Sequence, residues 1–174
     1  FLQYSGIDPF EATHEELTTK LQASLPDQPD LILMDRDDLL HQILALQIEP
    51  FLGKDELTVL AYYPPSQAAL AKTQVVDGNV VALRFEVYNQ GVELANGYFE
   101  LQDPDEQAAR FEEANRLRRK IGKNELPIDY RFLEALRQGL PSCSGVAVGF
   151  DRLMMLRHKK QQIKEVISFD WRNA

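Results

Sequence analysis

The chain has 174 residues, 44% of them hydrophobic and 26% charged, which is enough for one domain with a sizeable core. A net charge of −8 argues against a broad phosphate-binding face, and no apolar run approaches the ~20 residues of a membrane-spanning helix. The single cysteine, Cys143, can form no internal disulfide, which suits a cytoplasmic chain, and the scattered His14, His41 and His158 match no metal-ligand spacing.

The chain opens on Phe1 rather than methionine, which reads as a processed end or as part of a longer protein. Its first fifty residues have helical periodicity. Thr13 followed by Glu16 forms a capping box, with Leu17 and Leu21 at helical spacing behind it. "PDQPD" (26–30) ends that helix, and Leu39, Leu40, Ile43, Leu44 and Leu46 predict a second, stopped by Pro50 and Gly53. The period then changes. "LTVLAYYPP" (57–65) predicts a strand running into a turn, and Ser66 starts a short helix. Residues 81–102 form the most strand-like stretch, broken at "NQG" as a hairpin would be. "DPDEQAARFEEANRLRRK" returns to the helical period, with acids first and bases last. Its "RLRRK" (116–120), like "RHKK" (157–160), reads as a solvated helix end. A short helix (129–139), a strand beginning near 144 and a closing strand in "EVISFDW" complete the chain. The expected fold class is mixed α+β, an antiparallel sheet flanked by helices, with residues 1–55 helical and the sheet and its helices at 56–174.

Glu86, Glu93 and Glu100 recur at intervals of seven among β-branched, aromatic and glycine residues that disfavour a helix. On a hairpin centred between Asn89 and Gln90, Glu86 falls opposite Glu93. Opposed like charges are destabilising unless a cation sits between them, and Mg²⁺ held by one or two carboxylates and by phosphate oxygens meets that need. A bulge at "ANG" (95–97) would bring Glu100 to the same face. The alternative is an ordinary exposed acidic face.

In "SGVAVGFDRLMML" (144–156), Gly145, Ala147 and Gly149 alternate, so one face of the strand is nearly bare backbone against which a flat ligand can lie. Val146, Val148 and Phe150 point the other way and suit burial against a helix. Asp151 reads as a helix cap. Arg152 then falls in the first turn, where the dipole disfavours a cation; stacking on a base or forking onto a phosphate would compensate it. A surface arginine is the alternative.

These residues resemble a known family. "GVAVGFDRLMML" (145–156) resembles motif 3 of the class II aminoacyl-tRNA synthetases, and "RFEVYNQGVELANGYFEL" (84–101) is similar to the Mg²⁺, ATP and lysine-binding segment of the lysyl enzymes. "YYPPSQAALA" (62–71) and "PSCSGVAVG" (141–149) resemble the lysyl-synthetase paralogues that attach (R)-β-lysine to elongation factor P more than they resemble the tRNA-charging enzymes. The resemblance implies that Glu86 and Glu93 hold Mg²⁺ and ATP, with Leu94 giving backbone beside the nucleotide. Glu100 would receive the distal amino group of lysine or (R)-β-lysine, and Asn96 would orient substrate or phosphate. Gly149 would lie under adenine and ribose, and Arg152 would stack on adenine and meet the γ-phosphate; Arg152 and Glu93 are thus the expected catalytic residues. Ala147 stands where tRNA-charging lysyl enzymes usually carry glycine, which favours a β-amino acid. Motifs 1 and 2 are not found, so the resemblance implies the C-terminal part of a catalytic domain, with full activity and a homodimer belonging to a longer parent. No anticodon-binding OB-fold is found, a domain the elongation factor P paralogues also lack, and the resemblance to those paralogues implies elongation factor P as the acceptor, with tRNA not expected. A tRNA-charging enzyme and a non-catalytic binding module are the rival readings.

Overall fold

The computed structural model describes residues 1–172. Helices α1 (Leu2–Ser5), α2 (His14–Gln22) and α3 (Arg36–Ile43) come first, and α3 runs on into a π turn at Leu44–Ile48 and a 3₁₀ turn at Glu49–Phe51. The capping box forms: the Glu16 amide donates to Thr13 Oγ1 at 3.2 Å and the Thr13 amide to the Glu16 carboxylate at 2.7 Å. Leu17 and Leu21 pack with Leu39, Leu40, Ile43, Leu44 and Ile48 into a core that also takes in Tyr88 from the sheet. Leu46 was expected in that stripe and is instead exposed, because the wide π turn keeps Leu44 and Ile48 inward and swings the residue between them to solvent.

The sheet is antiparallel, with strands β1 (Thr58–Tyr63), β2 (Thr73–Val76), β3 (Asn79–Asn89), β4 (Val92–Phe99) and β5 (Ser144–Val148). Its order is β1-β3-β4-β5, with β2 paired to the start of β3. The helix expected from Ser66 is only a 3₁₀ turn at Pro65–Gln67. Helix α4 (Pro104–Lys120) is capped by Asp103, and α5 (Tyr130–Arg137) by Asp129. The basic end of α4 is satisfied locally, Arg116 by Glu113 and Arg119 by Glu125. Helix α6 (Phe150–His158) follows β5 directly. The expected closing strand is absent among the described residues; 163–165 form a 3₁₀ turn and the rest is irregular.

Two features fix the site. The tip of the β3–β4 hairpin docks on the helical layer, with the Gln90 and Gly91 amides donating to the Gly53 and Leu52 carbonyls at 2.7 and 2.8 Å. Gly53 is required there: a Cβ would lie 2.4 Å from the Asn89 Cα. The second feature is β5, an edge strand. Val146, Val148 and Phe150, expected to be buried against a helix, are exposed because no element among the described residues covers that side.

Candidate active site

The hairpin turn is the two-residue pair Gln90–Gly91, both with positive φ (49° and 73°), the primed geometry that matches strand twist. Pairing therefore runs Asn89 to Val92 and Tyr88 to Glu93. It then shifts by one residue, so that Val87 faces Ala95 and Glu86 faces Asn96. The expected register is corrected on two points. Glu86 does not oppose Glu93, and the bulge falls at Leu94 rather than at 95–97. The extra residue links two strands, because the Leu94 carbonyl accepts the Gly149 amide at 2.8 Å and ties β4 to the end of β5.

One bulge between Glu93 and Glu100 still restores the alternation. By register, Arg84, Glu86, Tyr88, Glu93, Asn96, Tyr98 and Glu100 share a face, and Ala147 and Gly145, opposite Asn96 and Tyr98, extend it. The helical core covers the Tyr88 end of this face.

Glu86 is buried within a protein network. Asn96 Nδ2 donates to its Oε1 at 2.9 Å, the Arg84 guanidinium pairs with the same oxygen at 2.5 Å, and the Tyr88 hydroxyl donates to Oε2 at 2.6 Å. Arg84 stacks on the Tyr63 ring at 4.5 Å and donates to the Gln67 carbonyl at 3.1 Å. Burial, and then the Glu86 carboxylate, push the Tyr63 and Tyr88 phenols far above their ordinary pKa. Glu93 is half-buried. Its carboxyl is pushed up by burial and then by Glu86, against partial relief from Arg152 and Arg84.

Arg152 lies in the first turn of α6, where Nη1 donates to the Glu93 carbonyl at 2.8 Å and its side chain runs beside Gly149. Gly149 is the helix N-cap and no side chain caps it. Asp151, expected as the cap, occupies the second helical position, where its charge suits the dipole. Glu100 occupies the far end of the strip. Its carboxylate lies directly over Gly145, where a Cβ would be 2.3 Å from Oε1, and it has no hydrogen bond or ion pair among the described residues.

Three atoms near Glu86 are buried with no hydrogen-bond partner among the described residues: the Tyr63 hydroxyl, Arg84 Nε and Asn96 Oδ1. Such orphans, beside a bare strip, an exposed guanidinium and an unpaired carboxylate, fit a polar, charged ligand. A divalent cation has a narrower fit. No group of three or more His, Cys, Asp or Glu residues among the described ones is placed to hold a metal. Glu86 is already engaged, which leaves Glu93 as the open carboxylate at the Arg152 end of the strip.

Over residues 12–172 the sequence matches the family described as tRNA synthetases class II (D, K and N). The chain belongs to this class II synthetase family. It is 44% identical over 173 residues to the elongation factor P (R)-β-lysine ligase of Yersinia pestis (strain Pestoides F), covering 97% of this chain and 52% of the relative. The same figures hold for the enzyme of that name from Yersinia pseudotuberculosis serotype O:3 (strain YPIII). The chain thus spans about half the length of the curated relatives it matches. As a class II synthetase domain it has the expected mixed helix and antiparallel-sheet architecture. Among its described residues no helix is long and apolar enough to cross a membrane.

Within this class II domain, Arg84, Tyr88 and Tyr98 escaped sequence reasoning although alternation could have found them. Each lies two residues from Glu86, Asn96 or Glu100 and so shares their face. Tyr63 and Glu49, whose Oε1 lies 3.3 Å from the Tyr88 hydroxyl, come from distant segments and left no local signal.

Proposed function

We propose that this chain supplies the nucleotide and amino-acid face of a ligase that activates lysine or (R)-β-lysine with ATP and transfers it to a lysine of elongation factor P. The observation that carries the reading is the Glu100 carboxylate seated on Gly145, unpaired among the described residues and at the opposite end of a bare strip from Arg152. A half-buried carboxylate without a partner selects a cationic group, and a charge-assisted bond to a substrate ammonium satisfies it. The 44% identity to ligases named for that reaction supports the same substrate class.

In this reading ATP lies along Ala147 and Gly149, with Leu94 beside it and Arg152 against its base and phosphates. Asn96 orients the amino acid through the amide edge not given to Glu86. Glu93 would hold Mg²⁺, which would neutralise charge on the triphosphate. Glu86, tied to Arg84, Asn96 and Tyr88, keeps the Asn96 amide turned toward substrate. The substrate carboxylate attacks the α-phosphorus, pyrophosphate leaves, and the acceptor lysine's ε-amine then displaces the nucleotide. Positioning and charge stabilisation carry both steps, and no side chain of this chain acts as a nucleophile. The Ala147 methyl narrows the strip beside Asn96, a difference of ~1–3 kcal/mol in discrimination that favours the β-amino acid.

Isothermal titration of the chain with Mg²⁺ and ATP tests the nucleotide half. Wild type binds and Arg152→Ala weakens binding by about tenfold or more; equal heats in both, or none in either, defeat the proposal. A protein carrying this chain at the length of its relatives, a cytoplasmic homodimer in this reading, exchanges pyrophosphate better with (R)-β-lysine than with lysine and acylates elongation factor P. Charging of tRNA instead would identify a lysyl-tRNA synthetase.

A further inference from the structure

We propose that Arg110, on α4, is a positioning residue for Glu100: it ties down the strap between β1 and β2 that backs Glu100, and so sets where that carboxylate sits over Gly145. The inference rests on the proposed role of Glu100 as the ammonium acceptor. The strap, residues 68–72, is stitched to the end of β4 on both sides of Glu100. The Lys72 amide donates to the Phe99 carbonyl at 2.8 Å, the Leu101 amide to the Leu70 carbonyl at 2.9 Å, and Ala71 bridges Glu100 itself. On its other side the Glu100 amide donates to the Cys143 carbonyl at 3.0 Å. Glu100 is therefore held between β5's approach and a strap made of Ala68, Ala69, Leu70, Ala71 and Lys72, in which Ala68 packs with Tyr63 and Ala82 while the Ala69 and Ala71 carbonyls turn toward α4.

Those carbonyls find their donor on α4. Arg110 Nη1 donates to the Ala69 carbonyl at 2.8 Å and to the Ala71 carbonyl at 2.7 Å, bracketing the turn at Leu70. Its Nη2 is held by Glu106 at 2.5 Å, one helical turn earlier, which fixes the fork. The clamp also explains how Ala69 keeps a left-handed backbone, φ 50°, that an alanine adopts only when its surroundings impose it. Without the guanidinium, two strap carbonyls lose their donor, the Ala69 strain relaxes, and the strap that backs Glu100 is held only by its backbone bonds and the packing of Ala68.

The test uses the chain with Arg110→Met, which keeps an apolar stem but no fork, Arg110→Lys, and Glu106→Gln, which leaves the guanidinium in place but unfixed. Arg110→Met speeds hydrogen exchange at the Lys72 and Leu101 amides while the β3–β4 ladder keeps its protection. It shifts the side-chain carboxyl resonance of Glu100 and weakens lysine binding by about tenfold or more, with ATP affinity within about twofold of wild type. Arg110→Lys restores most of the lysine affinity, and Glu106→Gln gives the same shifts in smaller measure. A folded Arg110→Met chain with wild-type lysine affinity overturns the proposal, as does equal loss of ATP and lysine binding. If Arg110→Met does not fold, Arg110→Lys and Glu106→Gln decide by the same readings. Should the wild-type chain bind no lysine, the reading of Glu100 fails by itself; the Glu100 resonance and the two amides still decide the clamp, and their standing still would overturn it.

Discussion

Gly145→Ala separates the role of the bare strip from its contribution to stability. A methyl at position 145 lands 2.3 Å from Glu100 Oε1, about 1 Å inside ordinary van der Waals contact, so the carboxylate must move by about that distance. The move is cheap for the fold. The displaced group is the end of a flexible side chain with no hydrogen bond to lose among the described residues, and Gly145 has no left-handed backbone that alanine would strain. Exchanging glycine for alanine within a strand is itself favourable by about 0.5–1 kcal/mol, so the thermal midpoint holds or rises slightly. Ligand recognition has no such tolerance. Misplacing a charged partner by ~1 Å costs up to ~10²-fold, so affinity for lysine or (R)-β-lysine should fall by about 10- to 100-fold while ATP binding stays near wild type. Thermal unfolding and isothermal titration of wild type, Gly145→Ala and Glu100→Gln read both quantities. Glu100→Gln should lose lysine binding to a similar or greater extent. Wild-type lysine affinity in Gly145→Ala would refute the reasoning, and so would a large fall in midpoint with both ligands lost together, because that would make Gly145 a packing residue.

Three further outcomes follow from the same geometry. Because burial and Glu86 raise the Glu93 carboxyl above its ordinary value, the folded chain holds that proton more tightly than the unfolded one, and stability falls as pH rises from the unfolded pKa through the folded one. Glu93→Gln should therefore raise the thermal midpoint at neutral pH and not in acid, while Mg²⁺-dependent ATP binding weakens; a lowered neutral midpoint would contradict this. Tyr88→Phe removes the 2.6 Å bond to a buried carboxylate and should cost about 1.5–3 kcal/mol in denaturant unfolding, with the midpoint shifted and the slope unchanged. Thr13→Ala breaks the capping box and should cost about 1 kcal/mol, read as faster amide exchange in the first turn of α2 without effect on either ligand.

The sequence revealed parity better than position. Side-chain alternation and one bulge between Glu93 and Glu100 are enough to put Glu86, Glu93 and Glu100 on a single face. That conclusion survives a hairpin turn displaced by one residue, because moving the turn by a full residue shifts each cross-strand partner by two and keeps its face. What parity cannot supply is distance. The carboxylates Glu86 and Glu93 share a face without lying directly opposite each other, and Glu86 pairs with the guanidinium of Arg84, two residues away on its own strand. Nor does alternation say what lies over a face. Val146 and Val148 have the pattern of buried residues and are exposed, since their burial depends on what packs beside an edge strand. The least legible parts are those assembled across long separations: Glu49 reaching Tyr88, the Gly53 carbonyl holding the hairpin tip, and Arg110 reaching the Ala69 and Ala71 carbonyls. Each is a polar group answering backbone or charge demands that exist only once the sheet has formed. Local periodicity could therefore identify which side chains line the strip, while the groups that hold them in place become visible only through the tertiary contacts that satisfy them.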